Sequence, residues 1–119
     1  MLEAADLIST YSRAQALADG VLVDVSAAAR LIGFLYPVAV TAGLYAEITA
    51  GTETEAEAQK RVEQVPLALY QAIVNSPAGQ DRLEFTVEFT PSHPLPLWSL
   101  CGPGDTPAPV LTVMLTHED

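Results

Sequence analysis

Positive charge is scarce in this chain. Five lysines and arginines stand against fifteen aspartates and glutamates, a formal charge of −10 over 119 residues. Nothing from Leu31 to Gln59 is basic, and nothing after Arg82. Direct binding to nucleic acid needs cations against phosphates, so that class of function is set aside. One cysteine, Cys101, leaves no internal disulfide. Long apolar runs are missing as well. Leu31 to Leu44 is broken by Gly33, Pro37, Thr41 and Gly43, short of the ~20 residues a membrane-spanning helix needs. The opening MLEAADLIST has acids where a signal peptide carries positive charge. The expectation is a cytoplasmic protein without a membrane segment.

Apolar content is plentiful. Half of the residues are hydrophobic, enough for a packed core rather than disorder. The length suits one domain over residues 1–119, with residues 1–10 a flexible lead-in whose Leu2, Leu7 and Ile8 are available for docking. Ser12 and Gln15 have capping-box spacing, and Gly20 ends the short helix they open. Val21-Leu22-Val23-Asp24-Val25 reads as a short strand, covered on both sides or at an edge beside a helix. Ser26 then starts a second helix, with Ala28, Leu31 and Ile32 on one side and Gly33 at its end.

Tyr36-Pro37 reads as a turn, and Thr41 as an N-cap. Val40, Leu44 and Ile48 recur every four residues, as along a helix ending near Ala50-Gly51. Glu53, Glu55 and Glu57 lie where the next helix opens, at the positive end of its dipole. Val62, Val65, Leu69, Ala72 and Ile73 continue as its apolar stripe, and Pro66 divides it into two segments. After a loop at Asn75–Gly79 the period changes. Leu83, Phe85, Val87 and Phe89 alternate with Glu84, Thr86, Glu88 and Thr90, a half-buried strand. Leu95–Cys101 is a weaker strand, where Pro96 requires an edge or a strand start. Val110–Thr116 is the last. The sequence thus predicts an α+β fold. Helices in the N-terminal two-thirds pack on a small, mainly antiparallel sheet of three to four strands.

The stretch YSRAQALADGVLVDVS (Tyr11–Ser26), with Gly33, YPVAVT (Tyr36–Thr41), GPGD and PVLTVML, resembles an uncharacterised family of short proteins encoded on plasmids and phages. The resemblance implies a mobile genetic element as the setting. It implies no activity and no catalytic residues.

Candidate chemistry is sparse. His93 and His117 are the only histidines and share no ligand spacing with Cys101, Asp105 or Glu118, so no metal or other cofactor is expected. Cys101 with His93 suggests a nucleophile and base, but a cysteine between Leu100 and Gly102 reads better as core. Gly102-Pro103-Gly104-Asp105 lacks the lysine and following helix of a phosphate loop. Asp24, alone in an apolar strand, suggests a proton donor if buried, but reads better as a cap for the helix near Ser26 or a partner for Arg13 or Arg30. Val110, Met114 and Trp98 on the second face of the last strands suggest a surplus that another copy or a partner buries.

The acids remain. Glu84 and Glu88 lie on one side of one strand, about 13 Å apart, and Glu53, Glu55 and Glu57 form a second cluster. Duplex DNA carries one charge per ~1.7 Å of axis, so a charge of −10 equals that of about half a helical turn. The expected function is therefore non-enzymatic. An acidic interaction protein of a mobile element, of anti-CRISPR or anti-restriction type, would bind a partner protein at its basic nucleic-acid-binding surface, as a nucleic-acid mimic. The alternative is a small structural or regulatory homodimer whose acidity serves only solubility.

Overall fold

The computed structural model describes residues 12–77, 81–91 and 93–118. The proposed lead-in with Leu2, Leu7 and Ile8 lies outside these residues, as does Gly79 of the predicted loop. In chain order the elements are α1 (Arg13–Ala18), β1 (Leu22–Asp24), α2 (Ser26–Ile32), β2 (Val38–Thr41) and α3 (Ala42–Thr49). Then come α4 (Glu55–Val74), β3 (Arg82–Glu88), β4 (Pro94–Pro103) and β5 (Pro109–Leu115). One five-stranded sheet runs in the order β1-β2-β5-β4-β3. All neighbours are antiparallel except β2 and β5, which are parallel in the register Val38↔Leu111 and Val40↔Val113.

The fold is α+β, but the expectation of three to four mainly antiparallel strands is corrected. The sheet has five strands and is mixed, and it lies largely in the C-terminal part of the chain. β2 is what the periodicity missed. Val40 belongs to this strand and not to the helix with Leu44 and Ile48. Thr41 ends the strand and caps α3 in one residue, its Oγ1 accepting from the Leu44 N–H at 3.2 Å. A four-residue strand running straight into a helix leaves no turn residues to announce it.

The alternating strands position the core as read. Leu83, Phe85 and Val87 of β3, and the buried Leu111, Val113 and Leu115 of β5, face the helices with Leu97, Val38 and Val40. Val25, Ala28 and Ala29, then Leu44 and Ile48, then Val62, Val65 and Leu69 close over them. Leu31 is not part of this face, being 78% exposed. α4 is one helix of twenty residues with Pro66 inside it, not two segments meeting there. Pro66 is fully buried, so its ring packs in the core where its missing N–H would otherwise weaken the helix. Pro96 keeps to the edge rule: it lies near the start of β4, and β5 pairs with β4 only from Leu97 onward, so the ring faces no β5 partner.

The opposite face of the sheet carries Trp98, and the predicted surplus there is corrected. Trp98 is 2% exposed within one copy of the chain. Its Nε1 donates to Leu115 O at 3.2 Å, and the Arg82 guanidinium stacks on the ring 3.0 Å from its centre. Arg13 covers the neighbouring strands, donating to Thr112 Oγ1 and Leu111 O at 2.8 and 2.9 Å. Burial lowers the Arg13 pKa from its ordinary value, with Asp24 and Asp105 acting in the opposite sense. The Asp105 carboxylate accepts the Arg13 and Ala14 N–H groups, so a side chain from the β4–β5 loop caps α1.

At the other end of β5 the Glu118 carboxylate joins two elements. Its Oε1 accepts from Thr41 Oγ1 at 2.6 Å and from Leu115 N at 2.9 Å. Gly43 makes room for it, since a Cβ there would stand 2.8 Å from Glu118 Oε2. Glu118→Ala removes a charged acceptor from two donors, and a loss of about 1.5–3 kcal/mol of unfolding free energy is expected in urea titrations.

Candidate interaction surface

The predicted acids divide between two layers of the molecule. Glu53, Glu55 and Glu57 lie at the start of α4, all exposed. Thr54 caps the helix by accepting from the Glu57 N–H at 3.1 Å, and Glu57 Oε2 accepts in return from the Glu53 N–H at 3.1 Å. One of the three thus also holds its own helix end. Glu84 and Glu88 are exposed on β3, an edge strand of the sheet. They point away from the helices, because Leu83, Phe85 and Val87 on the alternate positions pack toward them.

The fold nevertheless gathers most of these acids at one end. The Arg61 guanidinium lies 5.8 Å from the Phe89 ring centre, which sets the N-terminal part of α4 beside the end of β3. The same Arg61 donates to Ala50 O at 2.7 Å and Ile48 O at 3.3 Å, binding the exposed carbonyls at the C-terminus of α3. Its charge is spent on those carbonyls. An open groove of about 630 Å³ lies there, lined by Glu47, Arg61, Phe89, His93 and their neighbours. Glu47, the α4 acids and Glu88 share this end. Glu84 stands four residues back along β3, and Arg82 Nη2 lies 4.0 Å from its carboxylate. Among the described residues, none of Glu47, Glu53, Glu55, Glu57 and Glu88 is held in an ion pair.

The remaining candidates come apart. Asp24 is exposed and accepts from the Ser26 N–H at 3.0 Å and the Ser26 hydroxyl at 2.5 Å, the capping role its position suggested. His93 is exposed, with Nδ1 3.2 Å from Pro91 O. Cys101 is half-buried and lines a different cleft. The extended strand from Pro94 to Cys101 covers seven residue steps, roughly 23 Å, so His93 cannot serve Cys101 as a base. Among the described residues no group of three or more His, Cys, Asp or Glu side chains could hold a metal ion. Nor is any described helix long and apolar enough to cross a membrane.

One feature of the surface was missed in the sequence. The loop after α2 and the C-terminal half of α4 border an apolar cleft of about 380 Å³, walled by Phe34, Leu35, Tyr36, Tyr70 and Ile73, with Ser99 and Cys101 among the strand residues. Leu67, Tyr70, Ile73 and Val74 are all more than 40% exposed. Their spacing along α4 is a second apolar stripe beside Val62, Val65 and Leu69, and two stripes on one helix signal two contacts. Ile73, which the spacing places in the core stripe, belongs instead to this exposed one.

A family model described as a family of unknown function (DUF6573) matches residues 1–119, and the chain belongs to that family. Neither the curated proteins nor the solved structures give a match.

Proposed function

We propose, for a member of a family to which no function is attached, that the acidic end is the working surface of a non-enzymatic interaction protein. Its partner is a protein with a basic, nucleic-acid-binding surface, and it acts by occupying that surface in the place of the nucleic acid. The observation that carries this reading is the charge left free around the groove. Glu47 lines the groove, Glu53, Glu55 and Glu57 lie exposed at the start of α4 and Glu88 exposed at the end of β3, and the Arg61 guanidinium in the groove is engaged by backbone carbonyls. Opposite charge across an interface steers encounter and sets specificity. The resemblance to proteins of plasmids and phages supports the setting, a mobile element acting on a host restriction or CRISPR complex in the cytoplasm.

The test is a displacement assay. A restriction nuclease or CRISPR surveillance complex is loaded with labelled duplex DNA, and the chain is added at low and at raised salt. The expected result is release of the DNA at low salt and progressively less release as salt rises. Undisturbed DNA at every chain concentration, across a panel of such complexes, would contradict the proposal.

A further inference from the structure

β3 is the long edge of the sheet. It pairs with β4 in unbroken register, from Arg82↔Leu100 to Glu88↔Pro94, and among the described residues no strand lies on its other side. Such an edge is a template for a further strand, and proteins usually blunt it with proline, a bulge or a very short length. The opposite edge, β1, is only three residues long. β3 has none of these devices. Charge also blunts an edge where it repels the incoming strand, but the charges of β3 are complementary to their own copy. We propose that β3 is the contact between two copies of this chain, the two edge strands pairing antiparallel about Phe85 so that the two sheets continue into one.

The register follows from the residues. A two-fold contact is isologous, so every pair other than the central one occurs twice. With Phe85 opposite Phe85 of the second copy, Arg82 faces Glu88, Leu83 faces Val87 and Glu84 faces Thr86. Arg82, Glu84, Thr86 and Glu88 form the exposed row, while Leu83 and Phe85 are half-buried and Val87 is buried on the helix side. The pairing thus sets opposite charges directly across from each other twice and like charges nowhere, and it gives the uncovered parts of Leu83 and Phe85 apolar partners. A shift of two residues one way sets Glu84 opposite Glu84, and the other way Glu84 opposite Glu88. A slip of one residue sets the apolar row against the polar row. Arg82 is held in place for this contact. Stacking on Trp98 uses the face of the guanidinium and leaves its N–H edge, already 4.0 Å from Glu84, for carboxylates.

Sedimentation velocity over a concentration series tests this on the whole chain, with no DNA and no other protein present. A monomer–dimer equilibrium is expected. Arg82→Glu and Glu88→Arg each turn two opposite-charge pairs into like-charge pairs, and each should weaken the dimer by roughly tenfold or more. Mixed in equal amounts, the two variants should restore it, because every charge of one then meets its opposite on the other. Arg82→Glu also uncovers Trp98; where it fails to fold, Glu88→Arg, at an exposed position, carries the test by itself. A strict monomer at the highest concentration overturns the proposal. So does a dimer that Glu88→Arg leaves unchanged, or a mixture of the two folded variants that stays monomeric. The pairing engages Glu88 and leaves Glu47, Glu53, Glu55 and Glu57 out of the strand contact. Neither DNA nor a basic partner enters the measurement, so its failure and the failure of the acidic-end reading are told apart.

Discussion

Trp98→Ala should remove about 3–5 kcal/mol from the unfolding free energy, the largest loss expected from any single change in this chain. The indole is 2% exposed although it lies on the sheet face opposite the main helices. Its cover comes from neighbours on its own face, with Glu84 and Met114 as cross-strand partners and Arg82 stacked on the ring. Deleting it opens a cavity that this thin layer cannot close and removes a donor from Leu115 O. That carbonyl also accepts from the Glu118 N–H at 3.0 Å, so losing the indole N–H alone does not orphan it. Trp98→Phe should therefore cost well under half as much as the alanine variant, because the ring is kept and only one bond is lost. Urea unfolding of the two variants separates packing from hydrogen bonding. Trp98 is the chain's single tryptophan, so in Arg82→Ala its emission should shift to the red as water reaches the ring.

Replacing Glu53, Glu55, Glu57 and Glu88 together by glutamine takes the net charge from −10 to −6, by removing four acids from the count. Displacement of DNA from a basic partner should then weaken by roughly tenfold or more, taking about 0.2–1 kcal/mol for each exposed pair. The salt dependence should flatten with it. Glutamine at 57 still offers an oxygen to the Glu53 N–H, so the helix start survives. Losing the first-turn charges Glu55 and Glu57 costs α4 about 0.3–1 kcal/mol each through the helix dipole. That is a small loss which thermal unfolding would register. Glu84→Gln is the control. This acid stands back along β3 beside Arg82, and its neutralisation should change displacement by much less than the fourfold variant does.

These expectations rest on features that differ in how plainly the residues announce them. Strict alternation from Leu83 to Val87 exposes Glu84 and buries Val87 without further information, because a pleated strand has no other way to sort them. Ser12 and Thr41 cap their helices where their hydroxyls and the following residues say they should. Long-range pairing was not legible. β2 carries three buried residues in four, and what makes it a strand is β5, some seventy residues later. Nothing local distinguishes Val40 as a strand residue from Val40 as the first turn of α3. The same holds for Pro66, which local chemistry makes a break and tertiary burial makes a helix interior. Trp98 reads as a surplus until Arg82, two residues along the neighbouring strand from its partner Glu84, is found lying on it.

At the acidic surface the residue types were legible and their grouping was not. Glu53, Glu55 and Glu57 cluster by sequence, but only the approach of Arg61 to Phe89 brings Glu88 to the same end. In that geometry the Arg61 guanidinium donates to the carbonyls of Ile48 and Ala50. The apolar cleft was hidden for a related reason. Leu31 and Ile73 have helical spacing that fits a core, and the tertiary docking of α2 and α4 that leaves them exposed has no signature in the residues themselves.

The most direct measurement is the rate of association between this chain and a DNA-binding nuclease complex, followed by stopped-flow as ionic strength is raised. The account predicts a fast rate at low salt that falls steeply as the Debye length shortens. A rate that is indifferent to salt, or that climbs with it, would mean the carboxylates at the head of α4 and the tail of β3 do not guide the encounter.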